Sequence, residues 1–168
     1  MIERTIKALR GTRFRRLWDE SGDAMVELAL TVSLVGVPFL LGMIDMGTVV
    51  YSSIEISDAA HAGTMYGMLS STYAADTSGI QSAARADAPA FGTGLTATPT
   101  TYYACSSSIG GTHYTTQAAA VSACTGSENH ALQFIQVVAS AGVTPGFRFP
   151  GISKTFTVSS TAVMEVEE

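Results

Sequence analysis

From Leu28 to Ile44 the chain runs 17 residues without a charge, and no other stretch restricts its fold as strongly. As a helix this run spans about 25 Å, a little short of a hydrocarbon core of about 30 Å. Continuing the helix to Tyr51 makes up the length and brings Asp45 near the outer boundary, where it can snorkel to headgroups or meet a neighbouring subunit. Pro38 lies mid-span. It lacks an N–H and its ring crowds the preceding turn, which predicts a kink or a loosened turn. A cleaved secretory signal fits poorly, because no A-x-A-like site follows and the run exceeds the usual apolar core of such signals.

Charge divides the chain at Gly22. Arg4, Lys7, Arg10, Arg13, Arg15 and Arg16 precede it, against three acids; beyond it Arg85, Arg148 and Lys154 face eleven acids, a net charge of −8. By the positive-inside rule the basic segment stays in the cytoplasm and everything past Tyr51 is exported. Phe14, Leu17 and Trp18 within the basic segment suit a short amphipathic turn at the inner leaflet. An acidic exported portion argues against nucleic-acid binding, which needs a basic face.

Between the two regions stands Gly22-Asp23-Ala24-Met25-Val26-Glu27, with Glu27 the last charge before the apolar run. A carboxylate at the mouth of a membrane segment costs several kcal/mol unless it meets a partner or water. Two readings follow: a processing junction, or an ordinary signal anchor whose Glu27 sits at headgroup depth.

The remaining sequence predicts an α+β fold. The membrane helix, residues 23–51, is expected to continue outward through 52–70, past a small-residue stretch (Ala59, Ala60, Ala62, Gly63, Gly67) where backbones can approach closely. A second helix is expected over 78–91, with Ser78 as a candidate cap and Pro89 and Gly92 closing it. Gly92 to Gly126 is Thr-, Ser- and Gly-rich and loop-like, with one strand candidate at Thr98–Cys105. Strands are expected over 130–144 and 154–166, separated by turns at Pro145-Gly146 and Pro150-Gly151. The last strand alternates Phe156, Val158, Ser160, Ala162, Met164 and Val166 on one face with mostly polar residues on the other. Together with the basic leader 1–22, these form a helix-anchored exported domain, 52–168, with a small antiparallel sheet.

Cys105 and Cys124 both lie in the exported part, where such a pair is most simply a disulfide; two free thiols is the competing reading. A metal site has little support, since His113 is the only histidine between them. His61, His113 and His130 form no ligand pair, and no nucleophile elbow, P-loop or dinucleotide fingerprint occurs. No catalytic residue, cofactor or metal is expected. A membrane-anchored module that binds a small ligand or envelope glycan is the alternative to a structural subunit.

Gly22 and Glu27 at such a junction resemble the processing site of type IV pilin-like precursors. Ser21 to Leu30, then Pro38 to Gly47, resemble more closely the N-terminal region of the TadE-like family, minor pseudopilins of the tight-adherence (Tad) pilus. Asp58 to Gly67 matches the family's Ala/Gly-rich stretch, and Ser160 to Met164 its closing strand. Met46 stands where the family usually has an aromatic, and Asp23 is an unusual acid beside the cut. The resemblance implies cleavage after Gly22 by a prepilin peptidase and pairing of Glu27 with the new amine of a neighbouring subunit. It also implies a single-pass protein of the inner membrane, with the lipid bilayer, other pilins and the pilus assembly platform as partners.

Overall fold

The structure is a computed structural model that describes residues 22–126, 128–147 and 154–167. The basic leader with its amphipathic turn, and the Pro150-Gly151 turn, lie outside the described residues. The chain divides into two compact units, Met1–Met46 and Gly47–Glu168.

Helix α1 runs from Gly22 to Gly67 and is long and apolar enough to cross a bilayer. In the first unit most of its side chains are solvent-facing, including Leu28, Leu34, Phe39 and Leu40. Such a surface is stable only in an apolar medium. The Pro38 expectation takes a specific form: Val32–Gly36 is a π-helical turn, closed by the Val37 N–H bonding to Val32 O. Widening the turn just before Pro38 makes room for a ring that would otherwise press on the carbonyl of residue 34. Asp45 is buried, 8% exposed, and has an interaction of its own.

In the second unit α1 changes character. Ile56, Ala59, Ala60, Gly63, Thr64 and Gly67 are all buried, recurring every three or four residues along one face. That face meets Ile80 of a later helix and Ile135 and Val137 of the sheet. A Cβ on Gly63 would lie 3.2 Å from Val137 Cγ1 and 3.3 Å from Ile80 Cγ2, and one on Gly67 would overlap Ile135 Cδ1. The small residues thus admit close approach inside the chain itself. Thr64, fully buried, donates its hydroxyl within reach of Ala60 O at 3.0 Å and His61 O at 2.8 Å, so no polar atom is stranded. Gly67→Ala should destabilise this unit by about 1–3 kcal/mol, the range for overpacking a filled core. Chemical denaturation of the detergent-solubilised chain measures it; wild-type stability would show that Ile135 gives way freely.

The helix stops at Gly67 rather than near Ser70–Thr72. Ser70 then caps a short helix α2 (Ser71–Ala75), and α3 follows over Thr77–Asp87. Asp76, and not Ser78, caps α3: its Oδ1 accepts the Gly79 N–H at 3.0 Å, while Ser78 donates its hydroxyl to the same oxygen at 2.7 Å. The helix begins a residue before Ser78 because the carboxylate at 76 satisfies the free N–H three residues on. It ends at Asp87, two residues ahead of Pro89. Ile80 and Ala84 carry its buried stripe.

Strands β1 (Thr96–Cys105), β2 (Ala131–Val143) and β3 (Phe156–Glu165) form one antiparallel sheet in that order. Ala97 pairs with Ala139 and Val137 with Ala162. Ile135, Val137, Ala139, Ala141 and Val143 of β2 are buried on the helix side, and in β3 Val158, Ser160, Ala162 and Met164 are the less exposed positions, as the alternation predicts. The core combines Ile56, Ile80, Leu95, Ile135 and Val137. One further helix, α4 (Gln117–Ala123), forms within the Ser/Thr/Gly-rich segment expected to be loop, with Thr116 accepting the Ala119 N–H at its start.

Candidate processing and assembly site

Gly22, Asp23 and Glu27 all lie in the first turns of α1, and all are exposed. A Cβ on Gly22 would meet nothing within 4 Å. Among the described residues, then, nothing in the packing requires a glycine here. Asp23 and Glu27 are four residues apart, so their carboxylates project from the same helical face one turn from each other, an unfavourable pairing of like charges. The Thr31 hydroxyl donates to Glu27's main-chain carbonyl at 2.9 Å rather than to its carboxylate. Chemically, the surface is an acidic pair on the rim of an apolar cylinder, suited to receiving a cation.

Cys105 and Cys124 are bonded to each other, with 5.4 Å between Cα atoms. The bond ties the last residue of β1 to the residue closing α4. A small cluster surrounds it, in which Ala120 is fully buried and Tyr103, Tyr114 and Ala131 pack alongside. Asn129 locks the strand exit to the returning chain: its Oδ1 accepts the Ser107 N–H at 3.3 Å and the Ser107 hydroxyl at 2.9 Å. Replacing both cysteines with serine should cost about 3 kcal/mol by restoring freedom to the unfolded loop. Thermal unfolding with and without a dithiol reductant reads the loss, and an unchanged midpoint would assign the stability to Ala120 packing alone.

One contact had no sequence signal. Tyr66, near the end of α1, donates its hydroxyl to Asp76 Oδ2 at 3.0 Å, and its ring meets Tyr73 edge-on with centroids 5.1 Å apart. The Gly79 N–H, then the hydroxyls of Ser78 and Tyr66, hold the Asp76 carboxyl below the usual carboxylate range. Donation to that carboxylate holds the Tyr66 hydroxyl above its ordinary value. A depressed carboxyl stabilises the fold above its unfolded pKa, and this is lost as pH falls through the folded value. A raised tyrosine stabilises below its unfolded pKa, and this is lost as pH rises through the folded value. Asp76→Asn should therefore lower the unfolding temperature at neutral pH and reduce its fall in acid. An unchanged acid limb would remove Asp76 from the pH dependence.

The histidines are dispersed. His113 stacks on Tyr102 with ring centroids 4.1 Å apart, His61 is exposed on α1, and His130 is exposed beside β2. Among the described residues no group of three His, Cys, Asp or Glu is placed to hold a metal ion.

The fold and this site define a class: a chain with one membrane-length apolar N-terminal helix, whose last turns become the core helix of a small disulfide-closed α+β unit. Its N-terminal segment is TadE-like, since residues 22–64 match the family model described as TadE-like protein. The match begins at Gly22 and includes Glu27, Pro38 and the buried Ala59, Ala60 and Gly63. No curated protein and no solved structure matches the chain.

Proposed function

We propose that this protein is a minor pilin-like structural subunit that serves the assembly or the tip of a Tad-type adhesion pilus. A prepilin peptidase cleaves it after Gly22, and it sits in the inner membrane with residues 1–22 cytoplasmic and the α+β unit, residues 52–168, exported. Other pilins and the membrane assembly platform are its partners. The observation that carries this reading is the TadE-like segment beginning at Gly22 itself, at a glycine that packing does not require. The basic segment before Gly22 and the net −8 after it support the orientation, and a disulfide suits an exported unit.

After cleavage, Asp23 carries the new amine while Glu27 lies one turn deeper. A subunit docking its amine against a neighbour's Glu27 replaces a lone charge at the hydrocarbon boundary with an ion pair. Mass spectrometry of sheared surface filaments and of the membrane fraction tests the reading. Recovery of the chain, cut before Asp23, in filaments or in complex with pilins is the expected result. A full-length chain found only as a monomer in the membrane would favour the anchored binding module.

A further inference from the structure

The sheet has two outer edges, and the chain treats them differently. On β1, Ser106 donates its N–H to His130 O at 2.9 Å, so the even-numbered residues face β2 and the odd-numbered ones turn their backbone groups outward. Pro99 occupies one outward position and has no N–H to offer. Tyr103 occupies another, and its N–H and carbonyl are both taken by Tyr114 at 2.8 Å. A proline and the disulfide loop together close that edge.

Among the described residues nothing comparable guards β3. Val166 donates its N–H to Gln133 O at 2.9 Å, so even-numbered residues face β2, while Thr157, Ser159, Thr161, Val163 and Glu165 turn N–H and C=O outward. All five are exposed. Phe156 to Met164 contains no proline, glycine or charge, and among the described residues no segment pairs with this edge. Unmet backbone groups in this alternation accept one kind of occupant, another extended strand. At the strand's end Glu165 and Glu167 are exposed on either side of buried Val166, with Glu167 fixed by its N–H bonding to Met68 O at 2.8 Å. The two acids line a shallow pocket with Met68, His130 and Gln133. Charge at that end therefore favours a cation.

We propose that the open edge of β3 docks an extended segment of a different protein chain as a fourth strand, with a Lys or Arg side chain of that segment placed over Glu165 and Glu167. β-Branched residues opposite Thr157 to Val163 complete the match. Strand addition here requires neither cleavage after Gly22 nor entry into a filament, so it stands or falls separately from the pilus reading.

The test uses the full chain in detergent and two synthetic peptides of alternating threonine and valine, one with lysine at each end and one with glutamate. Residue-resolved amide exchange is the readout. Without peptide, the amides of Thr157, Ser159, Thr161 and Val163 should exchange fast while those of Val158, Ser160 and Ala162 are protected. The lysine peptide, at about ten times its Kd, should slow the four outward amides about tenfold, and the glutamate peptide should not. Thr161→Pro should abolish the effect while leaving the Ala162 amide protected and the disulfide formed. Outward amides already protected in dilute protein would show that the chain covers its own edge. Protection that grows with protein concentration alone would identify a second copy as the occupant. Equal protection by both peptides, by neither, or in Thr161→Pro would also overturn the proposal.

Discussion

Gly22→Val is expected to leave membrane insertion intact and to reduce maturation about tenfold or more, so that the chain accumulates with residues 1–22 still attached. The size of the effect follows from how a peptidase discriminates. A backbone that must lie flush in an active site tolerates no β-branched side chain, and a steric misfit of about 1–3 kcal/mol slows the cut by ten- to two-hundredfold. The fold provides the control. With no atom within 4 Å of a Cβ on Gly22, valine disturbs no described contact, and replacing an exposed helical glycine is neutral or mildly stabilising. Loss of cleavage in Gly22→Val therefore reports on recognition and not on folding. Intact mass of the membrane fraction distinguishes a chain starting at Asp23 from one retaining the leader. Maturation of the variant at the wild-type rate would show that Gly22 is not what the peptidase recognises.

How much of this molecule was legible depends on whether a signal is local. The uncharged run from Leu28, the alternation of β3 and the cysteine pair are all contiguous or compartment-level patterns, and each corresponds to a feature of the structure. Helix α4 is hidden in the sequence although Thr116 followed by Gln117 to Ala123 carries a cap and good helix formers; the surrounding Ser, Thr and Gly outweigh a seven-residue signal. Ser78 reads as the cap because the apolar stripe starts at Ile80, whereas the group that bonds the Gly79 N–H is the Asp76 carboxylate, which also accepts the Tyr66 hydroxyl. Ten residues separate Tyr66 from Asp76, and no periodicity encodes that. At Gly22 and Glu27 the residues are readable and their purpose is not, because the proposed partner of Glu27 is another molecule.

Glu27 is where the largest functional loss is expected. In the membrane its carboxylate lies at the hydrocarbon boundary, one turn from Asp23 on an exposed helical face, where it must snorkel, take a proton or meet a cation. If docking supplies that cation as a neighbour's amine, the pair exists only between subunits. Removing the carboxylate leaves the amine uncompensated in a low-dielectric layer, a loss of about 3–5 kcal/mol, or roughly a hundredfold or more in docking affinity. Glu27→Ala should therefore insert and be cleaved after Gly22 much as the wild type is, since an uncharged span inserts at least as readily. Incorporation into filaments and surface adhesion should nevertheless collapse. Glu27→Gln preserves shape and removes charge, so it should fail nearly as badly; Glu27→Asp keeps the charge on a shorter stem and should retain part of the activity. Steric or propensity effects would instead rank Gln as the mildest change. Wild-type adhesion in both Glu27→Ala and Glu27→Gln at equal expression would eliminate the docking role and leave Glu27 as a headgroup-level anchor of a membrane-bound module.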